Sequence, residues 1–456
     1  MHPTRMFAVV SLVVVVAGAA LADAKPMPWT GNYASNTPYE PQQALHTYEP
    51  PPEGYEVVFT QLLARHGSRA LTSATNIHFV KQLIARASAA GALTELGRQL
   101  EPEVVRFEEA NVRVGYGNLS RRGVAEHEHL AERLLARLPD LFAGGIRSGR
   151  RIRVLTSGKD RAVDSGNNFV AALAGTLPAL EPLIDPTVVN TDLLYFHKAP
   201  QNADYQDWLA HDPTLAAKLD QIFYSETSHR QARRVLERLF DPGFVDTLGA
   251  GGNLFLDPDT GAPVSFNAVD AAVALYTLYQ VAPGLSEEGT WHFERFVPQP
   301  AARWFAYLKD AEDFYDKGPS FAPATITFKM AQVLQDDFFA AVEAIRDGQS
   351  TRLAELRFAH AEIVIPLAAL MRLPFSDRQV PVEDTYRYRD NTWRGALVTP
   401  YAANIQWDVY ASPEGDLLVR MLYNEREARF KDGCRSIRDD SVYYRFDELK
   451  RCYGYE

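Results

Sequence analysis

Residues 62–71, LLARHGSRAL, place Arg65, His66 and Arg69 around a glycine directly after an apolar run. Two guanidiniums beside one imidazole repel each other and depress the ring's proton affinity unless an anion sits between them. A second cluster, His360-Ala361-Glu362, again follows an apolar stretch, and a third, Lys159 with Arg161, follows another. A neutral imidazole can act as a nucleophile, guanidiniums grip oxyanions through paired N–H donors, and a carboxyl can pass a proton. The residue types leave two readings: the histidine touches a bound anion, or it reacts with one.

Other chemistries lack their parts. The sequence has no GxSxG nucleophile elbow. GAGGN at 249–253 lacks both the lysine and the spacing of a phosphate loop. In AEHEHLAE a zinc-type HExxH would need histidine at 131, where Ala131 stands. His127 and His129 are two apart, so a helix points them to opposite faces, and they are expected to be solvated surface residues. Asn118-Leu119-Ser120 is a glycosylation sequon that matters only in a eukaryotic secretory pathway and is otherwise a turn.

The clusters need elements to hold them. YEVVFTQLLARHG reads as a buried strand over 56–63 entering a loop. A helix is expected from about Gly123, with Leu130, Leu134, Leu135 and Leu138 at helical spacing. A second strand, loop and helix begin at 151–156, and a further such unit spans TRLAELRFAHAEIVIPLAALM. ALVTPYAANIQWDVYAS and DLLVRMLYNE read as later strands. Between 186 and 322 the periodicity turns helical, as in HRQARRVLERLF and VDAAVALYTLYQ. The expected fold is therefore α/β, a mixed and largely parallel sheet flanked by helices, with an inserted mostly α-helical domain. Residues 55–185 and 323–456 would form the α/β catalytic domain, 186–322 the helical insert, and the proline-rich 25–54 an extended lead-in. A parallel sheet gathers ligands at strand C-termini, so all three polar clusters could share one crevice.

Composition sets the bounds. The 456 residues are 46% hydrophobic and 23% charged, with a formal net charge of -11. That charge provides no global field for nucleic acid or an anionic membrane, so a bound anion needs a local positive pocket. Residues 1–24 read as a cleavable signal peptide, with a short basic start, an apolar run and small residues at Ala20, Ala22 and Ala24. No later stretch reaches ~20 uninterrupted apolar residues, so no membrane partner is expected and the destination is secreted or periplasmic. The two cysteines, Cys434 and Cys452, are expected to form a disulfide pinning the tail, the alternative being two separate thiols.

With the residues in view, RHGSR resembles the RHGxRxP signature of the histidine phosphatase superfamily, in its acid phosphatase and phytase branch. HAE at 360–362, in place of that branch's more general His-Asp, is similar to the multiple inositol polyphosphate phosphatase subgroup. SGKDRAVDSGNNFVAAL, KDAEDFYDKGPS, TPYAANIQ and MLYNERE carry further similarity, which spans roughly residues 50–430. Leu71 replaces the signature proline. The HAE spacing also moves the acid one position along and makes it one methylene longer.

The resemblance implies a phosphomonoesterase. His66 would attack phosphorus as a neutral ring, giving a phosphohistidine. Arg65, Arg69, Arg161 and His360 would hold the phosphoryl oxygens. Glu362 would protonate the leaving oxygen and then activate water. The set calls for no metal and no other cofactor. The implied partners are small phosphorylated molecules: phytate (inositol hexakisphosphate) and lower inositol polyphosphates. Lys198, Arg230, Arg233 and Lys317 could meet peripheral phosphates, although each taken singly reads as part of a solvated helix face. The alternatives are a broad acid phosphatase acting on sugar or aryl phosphates, and an anion-binding protein without activity. Oligomeric state is left open.

Overall fold

The computed structural model describes residues 32–249, 255–258 and 260–455. The expected signal peptide, 1–24, lies outside the described residues.

Eight strands form one mixed sheet: β1 (Glu56–Arg65), β2 (Ile152–Thr156), β3 (Val188–Val189), β4 (Ala354–Ala359), β5 (Asn404–Ala411), β6 (Leu417–Tyr423), β7 (Arg426–Ala428) and β8 (Tyr443–Arg445). Their order is β7-β6-β5-β1-β4-β2-β3, with β8 paired to β6. Strands β1, β4, β2 and β3 run parallel, while β5 pairs antiparallel with β1 and with β6. Register sets where the strands stop. Arg65 lies opposite Ala359 and Thr156 opposite Phe358, so the three central strands end almost level.

Helices cover both faces. They are α1 (Thr75–Ala89), α2 (Leu100–Val114), α3 (Arg121–Arg137), α4 (Pro139–Ser148) and α5 (Asp160–Thr176) in the first half of the chain. Then come α6 (Ala203–His211), α7 (Pro213–Phe223), α8 (Glu226–Leu236), α9 (Ala268–Val281), α10 (Gln299–Asp316), α11 (Gln332–Arg346), α12 (Ala361–Leu370) and α13 (Phe446–Tyr453). Side chains alternate across a strand, so β1 feeds two cores. Leu62 and Ala64 join Val154, Leu356 and Phe358 against Leu130 and Leu134 of α3 and Phe169 of α5. Phe59 and Leu63 join Ile405 and Trp407 against Phe338 of α11 and Val364 of α12. Burial on both faces lets β1 carry consecutive apolar residues, as at 57–59 and 62–64, whereas β4 alternates Leu356 and Phe358 with Glu355 and Arg357, which are buried as an ion pair. The larger core continues into α8, α9 and α10, against which α1 also packs.

The loop after β1 is pinned at close range. A Cβ on Gly67 would sit 2.4 Å from the carbonyl oxygen of Gly123, and one on Gly123 would sit 2.0 Å from that of Ser68. Backbone therefore meets backbone where α3 begins, and neither glycine can carry a side chain. Glu126 of α3 completes the clasp. Its carboxylate accepts from Ser68 N at 2.7 Å, Ser68 Oγ at 2.8 Å and Tyr39 N at 3.0 Å.

Two sequence expectations change. Residues 32–54 form only short 3-10 turns, as their prolines predict, yet Ala34, Thr37 and Tyr39 are buried and wired into the fold. His127 is fully buried against the ring of Phe358 instead of solvated, and burial pushes its pKa down to about 3. Helical spacing did put the two histidines on different faces: His129 is exposed and His127 faces the sheet. Cys434 and Cys452 form the expected disulfide, with Cα atoms 5.3 Å apart.

Candidate active site

The level strand ends bring the three polar clusters together. His66 follows the last residue of β1, and His360 follows the last residue of β4. Neighbouring strands lie about 4.8 Å apart, so the two rings become neighbours, with centroids at 5.4 Å. Ser157 follows β2, Arg161 sits in the first turn of α5, and Glu362 in the first turn of α12.

His66 is 3% exposed. Its Nδ1 is 2.9 Å from the carbonyl oxygen of Gly67. A carbonyl can only accept, so Nδ1 carries the proton and the Nε2 lone pair is left unprotonated. Burial first, and then the charges of Arg65, His360, Arg161 and Arg69, hold this histidine well below its ordinary pKa. It is a neutral ring in a cationic setting.

The three arginines lack ion-pair partners. Among the described residues no carboxylate lies within 4.0 Å of Arg65, Arg69 or Arg161, and the buried Nε of each has no hydrogen-bond partner. Arg65 is fixed instead by neutral acceptors. Its Nη1 donates to the carbonyls of Ser35 and Thr399 at 2.5 Å each, and its guanidinium lies 4.8 Å over the Tyr401 ring. Arg69 donates to the Ala70 carbonyl at 2.8 Å. Arg161 stands at a helix N-terminus, where the backbone also favours an anion.

His360 is 1% exposed, with Nε2 2.8 Å from Ser157 Oγ and its buried Nδ1 unpartnered. Burial, reinforced by Arg161, lowers its pKa to about 3. Tyr195 stands edge-on to it at 5.6 Å and carries Lys159 over its own face at 5.0 Å. Glu362 reaches toward Lys317, with Oε1 4.0 Å from Nζ. Its side chain is 39% exposed; partial burial would raise this carboxyl, but Lys317 and His360 outweigh it and hold the group below the usual carboxylate range.

All six expected site residues therefore cluster at this end of the sheet. Of the four basic residues considered for peripheral contacts, Lys317 departs from its solvated-face reading. It is only 16% exposed and sits beside Glu362. Arg233 is tied to Glu237 and Asp246, Arg230 to Thr227, and Lys198 is exposed. Sequence reasoning passed over Ser157, Tyr195, His197 and Tyr401. Ser157 alone had a legible signal, as the first polar residue after β2.

What this arrangement can do is grip a dianionic oxyanion, present a neutral imidazole to its central atom and offer a carboxyl to a departing group. Comparison with known proteins agrees with that chemistry. Residues 56–424 match the family model of the histidine phosphatase superfamily (branch 2). Multiple inositol polyphosphate phosphatase 1 of Gallus gallus is 25% identical over 483 aligned residues, covering 99% of this chain and 96% of that protein. The crystal structure of Bifidobacterium longum multiple inositol polyphosphate phosphatase in complex with inositol hexasulfate is 32% identical, with a TM-score of 0.86 over 92% of this chain and 97% of that one. The same protein in complex with phosphate is also 32% identical, with a TM-score of 0.86 over 93% and 97%.

Proposed function

This chain belongs to the histidine phosphatase superfamily (branch 2) and is a phosphatase; from that premise we propose that it hydrolyses phytate and lower inositol polyphosphates through a phosphohistidine. One observation carries the reading: a buried, neutral His66 is ringed by three arginines that have no carboxylate partner. A phosphoryl group supplies the missing charge. The similarity to inositol polyphosphate phosphatases, one of them complexed with inositol hexasulfate, supports a polyanionic inositol as the substrate.

In the proposed reaction, phosphate oxygens take the N–H donors of Arg65, Arg69 and Arg161. His66 Nε2 attacks phosphorus, the ester P–O bond breaks, and Glu362 gives its proton to the leaving inositol oxygen. Ionised Glu362 then takes a proton from water, whose oxygen attacks the phosphohistidine and frees inorganic phosphate and His66. Before substrate arrives, Glu362 is ionised and His360 neutral. Bound phosphate adds negative charge beside both and favours their protonated forms, so substrate arrival readies the acid.

Export is proposed from the signal-like residues 1–24, with the disulfide in support. The division into an α/β catalytic unit, 55–185 with 323–456, and a helical insert, 186–322, is proposed on the same footing; the insert contributes Lys317 and His197 near Glu362. Incubation with phytate and a chelator, with chromatography of the products, tests the function. Stepwise loss of phosphate to lower inositol phosphates is expected. Rapid p-nitrophenyl phosphate hydrolysis with intact phytate would instead select the broad acid phosphatase.

A further inference from the structure

Five residues run unbroken from the arginine clamp to the candidate acid. The carbonyl of Ser35 accepts from Arg65 Nη1 at 2.5 Å, while its hydroxyl donates to Asp313 Oδ2 at 2.8 Å. The other oxygen of Asp313 accepts from Lys317 Nζ at 2.8 Å, and Nζ stands 4.0 Å from Glu362 Oε1. Ser35 belongs to the segment before β1, Asp313 and Lys317 to the end of α10, and Glu362 to α12. Three parts of the chain, distant in sequence, meet at one proton-transfer group.

We infer that Ser35 and Asp313 hold Lys317 as a positioning residue whose ammonium fixes the place and the charge of the Glu362 carboxylate. The inference rests on the proposed role of Glu362 and extends it to how that acid is set. Lys317 has little freedom of its own, because Asp313 grips it from one turn earlier in the helix. Ser35 also ties the geometry of the acid to that of the clamp, since one residue serves Arg65 with its carbonyl and Asp313 with its hydroxyl. Without this array, the titratable groups that act on Glu362 among the described residues are His360, His197, Arg65, Arg161 and Tyr205. Lys317 itself faces Asp313, Glu362 and Asp316, with Tyr205 nearby. A cation next to Glu362 makes it a stronger acid toward a poor leaving group and keeps it ionised, ready to accept the water proton, once the product has left.

The direct test needs no substrate, and so stands apart from the identity of the substrate. Glutamate-labelled full-length protein is titrated by carbon-13 NMR, with the Glu362 carboxyl identified by its loss in Glu362→Gln. The expected midpoint in the parent lies below the ordinary glutamate range. Lys317→Met should raise it by about 1–3 pH units, the usual influence of an opposite charge at this distance. Lys317→Arg should keep it low, and Ser35→Ala should raise it by less. If Lys317→Met leaves Asp313 too exposed to fold around, Lys317→Met with Asp313→Asn removes both charges and should give the same rise. An unmoved midpoint in a folded Lys317→Met or double variant would overturn the inference. Turnover supplies the second readout: Lys317→Met should slow an alkyl phosphate far more than p-nitrophenyl phosphate, and should add nothing in a Glu362→Gln background. Additive losses there would make Lys317 a direct substrate ligand instead.

Discussion

Two arginine-rich regions of the same sheet behave in opposite ways. In the antiparallel half, Arg137 and Arg420 close on Asp408 at 3.1 and 3.0 Å, Thr60 donates to the same carboxylate at 2.8 Å, and all are buried. Arg133 likewise meets Glu425 at 2.7 Å. At the C-terminal end of the parallel strands, Arg65 and Arg69 meet carbonyls and a ring, and Arg161 has no ion-pair partner among the described residues. The number of arginines is therefore no mark of an anion site. What marks it is burial of cations without carboxylates, a costly arrangement unless a ligand completes it. The first region is finished by folding, and the second is left unpaired at the proposed substrate site.

That contrast can be broken by substitution. His66→Ala should lower turnover by more than about a thousandfold while phosphate binding partly survives on the arginines. Steady-state kinetics beside phosphate titration checks it, and a few per cent of residual activity would place the nucleophile elsewhere. Glu362→Gln should slow phytate hydrolysis by roughly 10²–10⁴-fold, the common worth of general acid catalysis, and should affect p-nitrophenyl phosphate much less. Equal losses on both substrates would make Glu362 structural.

In the antiparallel half, Asp408→Ala should cost stability and leave turnover per folded molecule near the parent value. About 3–5 kcal/mol is expected, because it strands two buried guanidiniums. Burial would raise Asp408, yet Arg137 and Arg420 hold it below its ordinary pKa. Its contribution is thus present above the unfolded carboxyl pKa of about 3.9 and lost as pH falls through the lower folded value. Denaturant unfolding at several pH values reads this directly, and a stable Asp408→Ala protein would dissolve the distinction between the two regions. Breaking the Cys434–Cys452 bridge, which closes a short loop at the tail, should cost roughly 3 kcal/mol in the chain-entropy account, read as a lower melting point with unchanged kinetics.

The mildest change is in pH dependence. His66 must be neutral to attack, and burial with its cationic neighbours depresses its pKa, so the acid limb of kcat/KM should fall well below about pH 6.5, the ordinary histidine value. A limb near that value would show that neither burial nor the arginines depress His66.

Much of the candidate site was legible because its residues lie just past apolar strands. Arg65, His66, Arg161, His360 and Glu362 each sit within a few residues of a strand end, so strand–loop–helix reading predicted their convergence. The registers of β1, β4 and β2 then made it geometric. Lys317 and Ser35 were not legible in this sense. Their importance depends on where α10 and the segment before β1 dock, and no local period encodes that. His127 shows the same limit, since its spacing assigned a face and only the tertiary fold decided that this face is buried. The helical stretch was readable as helical, but its continuity with the main core was not.

If a phosphoryl group completes the unfinished cationic end and passes through His66, it should be possible to trap it there. Rapid mixing of Glu362→Gln with p-nitrophenyl phosphate is suited to this, because the leaving group needs no proton while the step that activates water is impaired. A burst approaching one nitrophenol per active site is expected. After an alkaline quench, mass spectrometry should find the phosphoryl group on His66, and none in a His66→Ala, Glu362→Gln double variant. A phosphoryl group on any other residue, or turnover with neither burst nor phosphorylated His66, would contradict a phosphohistidine route.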